Sequence, residues 1–160
     1  MPISAVILQI CIAASSLGTG QNVPTCPEVL AIAEIESGFN PGAVGGVGEI
    51  GLFQIRPEYW GNPGRNIQGQ IRQGLKVLGI IKARCFKDLT QDWISCHNVG
   101  VSRGKRLKGS KKGPYRLKYI KVADKWRKWY DSNKSQILLE NMRSSYSSSV
   151  MVKTETFLQD

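Results

Sequence analysis

The chain has 160 residues, 41% of them hydrophobic, with four Trp, five Tyr and four Phe; this is enough apolar surface for one folded domain and excludes wholesale disorder. Its formal charge of +10 is local: no Lys or Arg precedes Arg56, whereas residues 103–128 carry twelve of the twenty-two. With one His and four widely spaced Cys, the usual zinc and dithiol redox patterns are absent, so neither metal nor cofactor is expected.

The opening "MPISAVILQICIAASSLG" has an apolar centre but no positive leading region, and it is too short to cross a bilayer as a helix. It reads as a first core helix, Ile3 to Ser16, rather than an export signal. After the Gly/Pro connection "GTGQNVPTCP", Pro27 suits the first turn of a second helix through "EVLAIAEIES", which Gly38 and Pro41 end. Five glycines between Gly42 and Gly51 predict a mobile loop leading into a short extended segment.

From Asn66 to Cys85, Ile67, Ile71, Leu75, Leu78 and Ile81 recur at helical spacing, which predicts a long amphipathic helix despite three internal glycines. A shorter helix is expected at "LTQDWISCHN". A basic loop follows, and then a last helix whose stripe is Tyr115, Tyr119, Val122, Trp126 and Trp129. From Asp131 the composition shifts to a weakly helical "SQILLENM", a Ser-rich linker and the strand-like alternation "VMVKTETF". The division is a mainly α domain over residues 1–131 and a tail over 132–160. The tail is expected to be disordered, with docking on another protein by strand addition as the alternative.

Cys11, Cys26, Cys85 and Cys96 would form two disulfides in a protein working outside the cytoplasm, most simply Cys11 with Cys26 and Cys85 with Cys96, because each pair closes a short loop. Four small buried thiols are the equal alternative. On the second helix, Glu36 shares a face with Ile32 and Val29, whereas Glu34 points elsewhere. A carboxylate on an apolar face, at the negative end of a helix, is expected to favour its protonated form and so to suit a general acid. A solvated helix-end glutamate is the plainer reading.

"AIAEIESGFNPGAVGGVGEIGLFQIRP" resembles the core of the lytic transglycosylase SLT family, in which an E-S-x-x-N-P box precedes a G-x-x-G-L-x-Q-I-x-P box. "CHNVG" is similar to that family's A-Y-N-A-G box, and "PYRLKYIKV" to its closing Y-x-x-K-V segment. The four boxes keep their order over about residues 3 to 130.

The resemblance implies a lysozyme-like helical domain with a groove for peptidoglycan glycan strands. It makes Glu36 the catalytic acid, cleaving the β-1,4 bond between N-acetylmuramic acid and N-acetylglucosamine, then acting as base on the muramoyl 6-hydroxyl to leave a 1,6-anhydro end. Ser37, Gly51, Phe53, Gln54, His97, Asn98 and Tyr119 fall on its substrate-side positions. Phe53 stands where the family often has Met, His97 replaces the usual Tyr, and the acid that some members carry before the closing Tyr is missing. Glu34, Glu49 and Glu58 have no motif match; Glu49 in the cleft would instead activate a water for ordinary hydrolysis.

Two other classes compete. One is a nucleic-acid-binding module using the basic residues and aromatics from Arg103 to Lys128, although helical spacing favours a core role for the rings. The other is a structural component of a virion or secretion machine that retains the fold. The expected site of action is the periplasm or cell wall, reached as a virion component or through a secretion system, with virion tail or secretion-complex proteins as partners of residues 132–160.

Overall fold

The computed structural model describes residues 4–18, 20, 22–86, 93–99 and 113–156. Its helices, in chain order, are α1 (Ala5–Ser16), α2 (Cys26–Ser37), α3 (Pro57–Trp60), α4 (Ile67–Phe86), α5 (Trp93–Val99) and α6 (Pro114–Thr156). The chain is therefore mainly α. The extended segment expected after the glycines reduces to isolated bridges, Val44 with Ile50 and Ile50 with Ile55.

Helix α2 is the centre of the core. It starts where Thr25 N–H donates to the Glu28 carboxylate at 2.7 Å, with Pro27 in the first turn, and it ends at Gly38 in a left-handed conformation (φ 62°). Val29, Leu30, Ala31, Ile32 and Ala33 are all fully buried, so the helix is enclosed by α1, α6 and the loop after it. Both short-loop disulfides are present. Cys11–Cys26 joins α1 to α2, and Cys85–Cys96 joins α4 to α5. No helix among the described residues is long and apolar enough to cross a membrane.

A polar knot ties three helices together. Lys82 of α4 is buried, and its ammonium donates to Val23 O at 3.0 Å and to both Glu28 oxygens at 3.0 and 2.8 Å. The Trp93 indole of α5 donates to the same carboxylate at 3.3 Å. All three ammonium donors thus have partners, which is what makes a buried lysine tolerable.

The predicted stripe on α6 faces the core, with Tyr119 and Trp126 buried and Tyr115, Val122 and Trp129 packed against them. Contrary to expectation, the linker and strand are absent as far as Thr156: the helix simply continues. Pro114 occupies its first position and no Gly or Pro follows, so nothing in the sequence stops it. Ile137, beyond the boundary drawn from composition, is fully buried in the same core. Residues 89–92 of the expected short helix, 100–112 of the basic loop and 157–160 of the tail lie outside the described residues.

Candidate active site

The two glutamates at the end of α2 point in different directions. Glu34 reaches α6, where Lys125 Nζ donates to both its oxygens at 2.6 Å and the Trp126 indole adds a third donor. Glu36 instead faces a cleft of about 550 Å3, lined also by Glu49, Phe53, Gln54, Arg56, Tyr59, Trp60, His97 and Asn98. Its side chain is only 20% exposed.

Two groups hold the Glu36 carboxylate. The Tyr115 hydroxyl, from the first turn of α6, donates a short hydrogen bond to Oε1, and His97 Nε2, from α5, lies 3.3 Å from the same oxygen. His97 Nδ1 is buried with no hydrogen-bond partner, so the imidazole meets the acid through Nε2. The Cys85–Cys96 disulfide anchors the residue next to His97, so α5 is covalently fixed where the imidazole meets the acid.

These contacts reverse one expectation. Burial is the largest influence on Glu36 and pushes its pKa up, but the hydrogen bond and charge of His97, the Tyr115 hydroxyl and the charge of Lys118 together outweigh it. The net direction is down, so the free site favours the carboxylate rather than the acid. Tyr115 is pushed the other way by its burial and by the Glu36 charge, and it remains a donor.

A pH dependence follows, with a definite sign. A carboxyl whose folded pKa lies below its ordinary value contributes stability above about 4.5, lost as pH falls through the lower folded pKa. Thermal unfolding of the wild type and Glu36→Gln should therefore differ at about pH 5. The gap should narrow on acidification below about 4.5. A gap independent of pH would contradict the assignment.

The other expected site residues divide between the cleft and its scaffold. Phe53, Gln54, His97 and Asn98 line the cleft with Glu36. Phe53 is nearly fully buried beneath it and packs so tightly on Gly74 of α4 that a Cβ there would collide with its ring. Gln54 has a positive φ of 46°, and its amide donates to Gly51 O at 3.0 Å and Ala43 O at 3.3 Å, which braces the glycine loop.

Ser37 and Gly51 support the cleft without lining it. The Ser37 hydroxyl contacts Leu52 O at 2.9 Å and Ala33 O at 3.0 Å, tying the helix end to the loop. Gly51 (φ 75°) leaves room for Gln70 of α4, which accepts from Leu52 N–H at 2.9 Å and donates to Pro41 O and Gly64 O, each at 3.0 Å. Tyr119 lies one turn beyond Tyr115, buried in the core and away from the cleft lining.

Tyr115, Glu49, Arg56, Tyr59 and Trp60 are the site residues that motif matching did not single out. Helical spacing put Tyr115 on the same stripe as Tyr119, and that was the available signal. The dipeptide Tyr59-Trp60 lay just past the second box.

Residues 19–78 match the model of the Transglycosylase SLT domain family, about a third of the chain and containing Glu36, the glycine loop and the aromatic wall of the cleft. No curated protein and no solved structure matches the chain.

Proposed function

We propose that this chain, whose residues 19–78 match the Transglycosylase SLT domain, acts as a lytic transglycosylase on peptidoglycan with Glu36 as the acid and base of the reaction. The observation that carries the proposal is a half-buried carboxyl in an open cleft, gripped by Tyr115 and His97. Glycan filling the cleft excludes water and strengthens burial, the one influence that raises the Glu36 pKa. Glu36 takes up its proton from solvent as the substrate enters. Protonated Glu36 then gives its proton to the glycosidic oxygen between N-acetylmuramic acid and N-acetylglucosamine.

The resulting carboxylate takes the proton of the muramoyl 6-hydroxyl as that oxygen closes on C1, leaving a 1,6-anhydro end. The substrate's acetamido oxygen stabilises the cation between the two steps. Asn98 and the free Gln54 carbonyl are placed to hydrogen-bond sugar substituents, and Tyr59 and Trp60 to pack on sugar faces.

Glu49 favours a second reading, because it shares the cleft with Glu36. Its Oε2 accepts from Val47 N–H at 3.2 Å, which steadies it at the rim. A water activated there would give reducing ends instead of anhydro ends. End-group analysis of digested peptidoglycan separates the two. Anhydro products, with Glu49→Gln retaining activity within about threefold, support the transglycosylase; reducing ends and a Glu49→Gln loss of about a hundredfold or more support the hydrolase.

We place the protein's work in the periplasm or cell wall, as part of local wall opening by a virion or secretion machine. Two disulfides support an oxidising compartment. Exposed Leu138, Leu139 and Met142 on the outer part of α6 support docking of residues 132–160 on a virion tail or secretion-complex protein. The nucleic-acid alternative loses its stacking rings, since Tyr119 and Trp126 are in the core.

A further inference from the structure

A neutral glycan needs no cation, yet Arg56 lines the cleft, the one Arg or Lys to do so among the described residues. Arg56 sits between the Ile55 bridge and the first turn of α3. Its guanidinium carbon lies 4.8 Å from the centre of the Tyr59 ring, which fixes the plane of the group. Nη2 donates to the Glu58 carboxylate, whereas Nε is buried with no hydrogen-bond partner. The pair with Glu58 is open to solvent, with side chains 38% and 52% exposed, so it is weak and exchangeable.

A partly exposed guanidinium, held by an exchangeable pair and set over an aromatic ring in a sugar-sized cleft, is built to take a planar anion. The two carboxylates of the same cleft, Glu36 and Glu49, would repel that anion elsewhere, which leaves the Arg56 end as its place. We propose that Arg56 and Tyr59 form a subsite for a carboxylate borne by the substrate. The assignment rests on the peptidoglycan reading above. Each muramoyl unit carries a lactyl group, ending either in a free carboxylate or in a stem peptide with carboxylates of its own. A glycan of N-acetylglucosamine alone carries neither, so Arg56 selects muramoyl strands over chitin-like ones.

The test is equilibrium binding, which does not depend on turnover, followed by isothermal titration with three ligands. They are the N-acetylglucosaminyl-muramic acid disaccharide with its lactyl carboxylate free, the same disaccharide with that group as a simple amide, and the disaccharide bearing a stem peptide. The wild type should bind at least one carboxylate-bearing ligand about tenfold more tightly than the amide, and which one identifies the source. Arg56→Gln should abolish that preference by weakening the carboxylate-bearing ligand about tenfold more than the amide. Glu58→Gln, which removes the internal competitor, should widen it.

Equal wild-type affinity for all three ligands would overturn the proposal, as would an Arg56→Gln loss that is the same for the amide. Should Arg56→Gln fail to fold, a Glu58→Gln preference no wider than the wild type's would overturn it alone. Cleavage of sacculi by the wild type, measured in parallel, tests the underlying activity separately. A carboxylate preference without cleavage would retain the subsite and reject the reaction.

Discussion

Glu36→Gln is expected to lower the rate of peptidoglycan solubilisation by about 10³-fold or more, the upper part of the range for a positioned general acid that also serves as base. Glutamine keeps the shape of the side chain and still accepts from the Tyr115 hydroxyl, so the variant should fold with a thermal midpoint within a few degrees of the wild type. What it loses is the transferable proton and the charge facing His97. Clearing of a sacculus suspension, read beside circular dichroism, separates loss of chemistry from loss of fold. A variant that clears at more than a tenth of the wild-type rate would remove Glu36 from the reaction.

The second large effect concerns stability. Lys82→Met should destabilise the fold by about 3 kcal/mol, because it leaves the Glu28 carboxylate half-enclosed with its ammonium partner gone. For a chain of this size that lowers the thermal midpoint by about 10 °C. Adding Glu28→Gln to Lys82→Met should recover part of the loss, since the pair's cost is mostly that of a stranded charge. Equal destabilisation by the single and double variants would mean that packing, and not the ion pair, holds α2, α4 and α5 at this point.

The helices were legible in the sequence wherever apolar spacing and punctuation agreed. Pro27 and Gly38 bound α2 in both readings, and the Ile67-to-Ile81 stripe is the buried side of α4. Compositional reading failed along α6. Serines and a change of apolar pattern after Asp131 suggested a break, but a helix ends at residues that stop it, and none is there. The short bridges around Ile50 owe their form to Gln54 and Gln70, whose hydrogen bonds come from distant positions.

The position of Glu36 was legible, and its surroundings were less so. Periodicity placed it on an apolar face, and the cleft opens there. Its ionisation was not legible, because the influences that lower its pKa come from α5 and α6, 61 and 79 positions away in sequence at His97 and Tyr115. The imidazole meets the Glu36 carboxylate, and the Tyr115 hydroxyl donates to the same oxygen.

The most direct test of the central claim is mass spectrometry of the soluble muropeptides released from purified peptidoglycan by the wild type and by Glu36→Gln. The wild type is expected to release 1,6-anhydro muropeptides and the variant none above background. Equal release by both proteins, or no release by either, would contradict it.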